Sequence, residues 1–135
     1  MKYPFEDPNV KAIYDSFPTT IQRSCLLLRT LIFDIAAKHA VIGPIKETTR
    51  WGEPAYLPFK TKRGSMIRIM HKPKKSYDFG LYFLCNTQLI HHFKDQYPTT
   101  FTFGGNRALE FMVNHPLTLA AIEDCMYQAL TYYQS

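Results

Sequence analysis

Apolar residues recur every three to four positions in four stretches of the chain, the spacing that places them on one side of an α-helix. The second stretch is the longest, and its apolar stripe is wide enough for the helix to pack against a sheet rather than a single partner helix. The predicted helices cover residues 8–17, 19–39 and 88–96, and the last begins at residue 116.

Two of these helices have residues typical of a helix start. Asp7 precedes Pro8, and an Asp cap followed by Pro in the first turn is a favoured combination. Thr19 and Gln22 have the spacing of a capping box, in which the side chain of each residue accepts a hydrogen bond from the backbone N–H of the other. The sequence therefore predicts side-chain caps at Asp7 and Thr19.

Between the long helix and the third helix, the apolar spacing changes to two, which is typical of β-strands. In one of these strands Met66, Arg68 and Met70 share a face, while Ile67 and Ile69 lie on the other. The strand ending at residue 84 is the most apolar and is expected at the centre of the sheet. The predicted strands cover residues 55–59, 65–71 and 77–84, followed by a hairpin of 100–103 and 108–113 around a turn at 104–107.

Short turns rather than helices join most of these strands, and this connectivity favours an antiparallel sheet. The predicted fold is an α+β two-layer domain, with a sheet of about five or six strands and helices packed mainly on one face. A chain of 135 residues is the size of one domain, so residues 1–135 are expected to form a single unit.

The segment 47–56 lies between the long helix and the strands and contains the single Trp of the chain. Gly52 accepts backbone angles that other residues avoid, and Pro54 fixes its own φ and favours an extended residue before it. A turn is therefore expected at Trp51 and Gly52. Two interpretations are open: Trp51 anchors the turn in the core, or Trp51 and Glu53 line a ligand pocket.

Acidic and aromatic residues near this turn suggest the composition of such a pocket. If Glu47 lies in a helix-to-strand turn, it and Glu53 both face a groove beside Arg68. A carboxylate against an aromatic wall can have a raised pKa, although ordinary ion pairs with arginine explain the same residues. The predicted pocket is open to a small ligand or a protein partner, and its binding residues are Glu47, Trp51, Glu53, Tyr56 and Arg68.

The net charge of +5 is concentrated locally, because seven basic residues and no acidic residue lie between Lys60 and Lys75. Such a segment is able to contact the phosphates of nucleic acid, with Phe59 and Tyr77 available to stack on bases. Solvated turns explain the same lysines, which also protect an edge strand from aggregation. Nucleic-acid contact through residues 60–75 is therefore an alternative hypothesis.

Common catalytic and metal-binding motifs are not found in the sequence. It lacks G-x-S-x-G, H-E-x-x-H and C-x-x-C, and the glycine pair at Gly104 is not followed by the lysine of a phosphate loop. Cys25, Cys85 and Cys125 are expected to be reduced thiols, mostly in the core. We therefore predict no catalytic residue, no metal site and no cofactor, and expect a binding protein rather than an enzyme.

No apolar run approaches 18 residues, and the first residues lack the apolar stretch of a secretory signal. These features predict a cytoplasmic protein that does not span a membrane.

The chain resembles the YdhG-like family of small bacterial domains of unknown function. The resemblance rests mainly on residues 47–56, where Glu47 is followed by Trp51, Gly52 and Pro54. It is also carried by the helix ending before Ile45, the strand 77–83, the hairpin 102–111 and the closing helix. The resemblance implies an antiparallel sheet packed by helices. Because some members are described as frataxin-like iron chaperones, it also implies iron binding as an alternative function.

Overall fold

The computed structural model describes residues 1–72 and 77–133, and these residues form four helices and six strands. The α+β fold class is confirmed. In chain order the elements are α1 (Pro8–Asp15), α2 (Thr19–Lys38), β1 (Ile45–Arg50), β2 (Glu53–Pro58), β3 (Ile67–His71), β4 (Phe79–Phe83), α3 (Leu89–Gln96), β5 (Thr102–Gly104), β6 (Ala108–Phe111) and α4 (Leu119–Leu130).

The six strands form one open antiparallel sheet in the order β1-β2-β3-β4-β6-β5. The apolar strand β4 lies at the centre, as the sequence predicted. After β4 the chain passes through α3 and β5 before β6 returns to pair with β4. This return brings the turn before β6 next to the end of β4.

Helices pack beside the sheet, and the apolar side chains between the two layers form the core. Tyr56, Ile67, Leu81 and Leu109 belong to neighbouring strands, are each 0% exposed, and join the same core cluster as the inward residues of α2 and α4. We call this side of the sheet the covered face. Because alternate residues of a strand point to opposite sides, Arg68 and its neighbours lie on the other side, the uncovered face.

Strand β1 is the one element that the sequence prediction missed, since no strand was predicted before residue 55. The residues of β1 are mostly polar. The strand is defined by its pairing with β2, in which Ile45 lies opposite Pro58 and Arg50 lies opposite Glu53. The two-residue connection has φ of 52° at Trp51 and 77° at Gly52. Positive φ at both central residues is typical of a type I′ turn, whose twist matches that of a hairpin.

Of the two predicted helix caps, the one at Asp7 is confirmed and the one at Thr19 is wrong. Asp7 caps α1 as expected, because its side chain accepts a hydrogen bond from the Asn9 backbone N–H. The predicted capping box of Thr19 and Gln22 is wrong, since α2 has no side-chain cap. Gln22 Nε2 instead donates to the Tyr14 carbonyl oxygen at 2.8 Å. The short connection between the two helices brings this carbonyl within reach.

Within the described residues, no helix has both the length and the apolar character needed to cross a membrane. Of the basic segment between Lys60 and Lys75, residues 73–75 lie outside the described part of the chain.

Candidate functional site

Two of the predicted site residues, Glu47 and Tyr56, lie opposite each other on β1 and β2 and point to the covered face. The Tyr56 hydroxyl donates to Glu47 Oε2 at 2.7 Å and lies 2.6 Å from the hydroxyl of Tyr14 on α1. These contacts connect the sheet to the helical layer. Burial raises the pKa values of Tyr14 and Tyr56 well above the usual value of tyrosine.

Arg29 of α2 completes this buried polar cluster. Its Nε lies 2.5 Å from Glu47 Oε2 and its Nη2 lies 3.0 Å from Oε1, so the two groups form a bidentate pair. Nη1 donates to the Tyr3 carbonyl oxygen at 2.6 Å. Burial opposes the charged form of Arg29, but the hydrogen bond and the charge of Glu47 outweigh it and raise the pKa of the guanidinium. Both Glu47 oxygens are therefore occupied by structural contacts.

The other three predicted residues lie together on the uncovered face. Arg68 Nη1 is 2.5 Å from Glu53 Oε1, and its guanidinium carbon is 4.7 Å from the centre of the Trp51 ring. The same carbon lies 5.4 Å from the Tyr82 ring centre. Lys72 Nζ lies 3.6 Å from Glu53 Oε2. Glu53 thus fixes Arg68, and Arg68 supports the indole.

The five predicted residues therefore do not form one pocket, and the groove expected to contain both glutamates beside Arg68 is wrong. Ala55 pairs with Arg68, whereas its neighbour Tyr56 pairs with Glu47. A difference of one position along β2 places the two sets on opposite faces of the sheet. A role in ligand binding for Trp51, Glu53 and Arg68 remains a prediction.

A cavity of about 360 Å³ opens beside Trp51 at the uncovered face. We call it the uncovered-face cleft, and it is lined by Trp51, Arg68, Phe83, Leu84, Cys85 and Arg107. Trp51 is 72% exposed, so the interpretation that it anchors the turn in the core is wrong. The ring instead lies against Arg68 of the neighbouring strand β3.

The backbone at Trp51 is unusual, because bulky residues rarely adopt a positive φ. Such conformations persist where the surrounding structure imposes them, and they concentrate at functional sites. Asn and Asp adopt a positive φ more readily and are favoured at this position of a type I′ turn. Trp51 is therefore better explained by contacts of its ring than by the needs of the turn.

Four of the six residues that line the cleft are absent from the predicted site: Phe83, Leu84, Cys85 and Arg107. Arg107 was assigned only to the hairpin turn, and Cys85 was expected in the core, but both are exposed at the cleft. The Phe83 backbone N–H donates to the Arg107 carbonyl oxygen at 2.7 Å, which fixes the turn beside the end of β4. In the part of the chain that the structure describes, the Arg107 side chain has no hydrogen-bond or ion-pair partner. The sequence feature that could have identified Arg107 is its position at the end of a turn that begins with two glycines.

The basic segment 60–75 is divided by β3. Lys60, Lys62 and Arg63 precede this strand, and the Arg63 carbonyl oxygen accepts from the Tyr133 backbone N–H beyond α4. Lys72 follows the strand and pairs with Glu53. Lys74 and Lys75 lie outside the described residues. The described lysines therefore do not form one continuous patch, and nucleic-acid contact through this segment remains a prediction.

The remaining thiols and imidazoles are separate from the cleft. Cys25 and Cys125 are buried as predicted, and burial raises the pKa of each thiol to about 12. His71 Nδ1 lies 2.8 Å from the Asp78 carbonyl oxygen. Across residues 1–72 and 77–133, no group of three or more His, Cys, Asp or Glu side chains is placed to hold a metal ion.

Fold and site together define an α+β protein with a six-stranded antiparallel sheet, one face covered by helices and a basic, aromatic cleft on the other. No family model, curated protein or solved structure matches the chain. The resemblance to the YdhG-like family and the iron binding that it implies therefore remain predictions from the sequence.

Proposed function

We propose that this protein is a non-enzymatic binding protein and that its uncovered-face cleft holds a small anionic ligand. The observation that carries the proposal is the exposed guanidinium of Arg107, which has no hydrogen-bond or ion-pair partner among the described residues. It lies at a cavity that also contains Arg68 and the exposed Trp51.

Charge supports an anionic ligand. Arg68 is compensated by Glu53, with which it forms a 2.5 Å contact, and its side chain is only 15% exposed. Arg107 has no such compensation among the described residues. A guanidinium offers several N–H donors in one plane and matches the oxygens of a carboxylate or phosphate. Arg107 is therefore the group expected to contact the anion directly.

The chemistry of the lining supports binding rather than catalysis. The six lining residues include one thiol, Cys85, and no carboxylate or imidazole. A general base that takes the proton of a thiol nucleophile is a carboxylate or an imidazole in most such enzymes, and the six lining residues provide neither. We place the protein in the cytoplasm as part of the same proposal, because three free thiols suit a reducing compartment.

Isothermal titration calorimetry with pyrophosphate tests the proposal. We expect saturable binding to the full chain and a loss of affinity of about tenfold in Arg107→Gln, since a hydrogen bond to a charged group contributes about 1.5–3 kcal/mol. Arg63→Gln is the matched control, because Arg63 is also exposed and does not line the cleft. Absent binding, or equal losses in the two variants, contradicts the proposal.

A further inference from the structure

The Trp51 indole keeps most of its surface open. Among the described residues, the Arg68 guanidinium supports the ring, and Trp51 is still 72% exposed. Arg68 itself is held by Glu53 and lies between Trp51 and Tyr82. The hydroxyl of Tyr82 is in turn hydrogen-bonded to that of Tyr77. The ring is therefore supported by a fixed set of side chains and not by the core.

The exposed face of this ring is suited to stacking by a flat group. The φ of 52° disfavours a bulky side chain, and exposure of an indole gives up the stabilisation that burial provides. Aromatic bases stack on exposed tryptophans in this way, and such stacking tolerates every base because each has a π-face.

We infer that the ligand carries an aromatic base joined to a phosphate, with the base stacked on Trp51 and the phosphate held by Arg107. This inference rests on the proposed function, since it assigns the anion to the same uncovered-face cleft. The cavity of about 360 Å³ lies within the range of small-molecule sites. Glu53 does not repel the phosphate as a free charge would, because Arg68 and Lys72 compensate it.

A free nucleotide and a single-stranded nucleic acid share this chemistry. Trp51 and Arg107 lie in the turn between β1 and β2 and in the turn before β6, so a ligand that reaches both spans the uncovered face from one turn to the other. Titrations with AMP and with a short oligoadenylate therefore distinguish the two sources.

Calorimetry with AMP and ribose 5-phosphate tests the contribution of the base. We expect the full chain to bind AMP about tenfold more tightly than ribose 5-phosphate. The ratio should fall to about one in Trp51→Asn, which removes the ring and keeps a residue suited to the type I′ turn. Thermal unfolding followed by circular dichroism establishes that the variant is folded.

The possible outcomes separate the two proposals. Equal affinity for AMP and ribose 5-phosphate overturns this inference and leaves the anion site intact, provided that pyrophosphate binds. Absence of binding for all three compounds overturns the proposed function as well. If the base preference is observed, tighter binding of the oligoadenylate than of AMP assigns the site to single strands, and equal or weaker binding assigns it to free nucleotides.

Discussion

The guanidinium carbon of Arg68 lies 4.7 Å from the centre of the Trp51 ring, and this contact joins β3 to the turn between β1 and β2. Since Glu53 bonds the same guanidinium at 2.5 Å, the indole lies against a fixed cation while remaining open to solvent. A stack of this kind contributes about 0.5–1 kcal/mol at an exposed site. That is too little to explain a tryptophan with positive φ by stability alone.

Replacing Trp51 by Asn should raise the free energy of unfolding by about 0.5–1 kcal/mol. Asn accepts the left-handed backbone conformation that disfavours Trp51, whose φ is 52°, and this gain exceeds the lost contact with Arg68. Urea denaturation measures the change. Trp51→Ala is the control, because it removes the ring and keeps the backbone strain. A stability of Trp51→Asn below that of Trp51→Ala contradicts this account.

Replacing Glu47 by Gln should lower the free energy of unfolding by about 3–5 kcal/mol. The change leaves the guanidinium of Arg29, which is 2% exposed, without its charged partner in the interior. Denaturant unfolding gives the difference. The exposed pair of Lys11 and Asp15 offers the control, since Asp15→Asn should cost less than about 1 kcal/mol. A Glu47→Gln variant as stable as the wild type shows that the buried pair is not structural.

Replacing Gly64 by Ala should destabilise the protein more than replacing Gly105. A Cβ at Gly64 would lie 2.5 Å from the Leu130 carbonyl oxygen, and the backbone there cannot move aside easily. We expect a loss of about 3 kcal/mol. At Gly105 no atom of the described residues lies within 4 Å of the added Cβ, and the obstacle is the φ of 58°, so the cost is about 1–2 kcal/mol. Thermal unfolding of the two variants compares them, and the reverse order contradicts the packing described here.

Stability should fall as the pH rises above about 10, the usual pKa of tyrosine. Tyr14 and Tyr56 have pKa values raised by burial, so in this range the unfolded chain releases their protons before the folded chain does. Their contribution is therefore complete below pH 10 and decreases as the pH approaches the folded-state values. Each tyrosine contributes about 1.4 kcal/mol per pH unit to this slope.

Urea denaturation between pH 9 and pH 11.5 measures that slope, and the Tyr14→Phe variant isolates one of its sources. Since Phe has no titrating hydroxyl, the variant should lose stability less steeply than the wild type by about 1.4 kcal/mol per pH unit. An unchanged slope means that Tyr14 is not protonated in the folded protein at these pH values.

The sequence was sufficient for the fold class because its main signals are local. The apolar spacing of α2 and the alternation around Ile67 and Ile69 reflect which side of each element faces the core, and the sheet is formed as expected. Strand β1 was missed because its residues are polar and its stability comes from pairing with β2. The burial of Glu47 depends on Arg29, 18 positions earlier, and no local pattern connects them.

The cleft was predicted only in part for the same reason. Trp51, Glu53 and Arg68 were selected because they are chemically suited to a site and close in sequence. Arg107 reaches the cleft only because β6 returns to pair with β4 after α3 and β5. Assigning Glu47 and Glu53 to opposite faces required the register of β1 and β2, which the sequence does not specify without the turn geometry at Trp51.

The most direct test of the proposed site is a ¹⁵N–¹H NMR titration of the full chain with pyrophosphate, because the single tryptophan gives one indole signal. We expect the largest shifts at the backbone N–H groups of Cys85 and Arg107, beside the guanidinium that binds the anion. The Trp51 indole N–H should shift less, because it lines the same cleft without contacting the anion directly. Shifts centred on Lys60, Lys62 and Arg63, or an unchanged indole signal at saturating pyrophosphate, would contradict the proposed site.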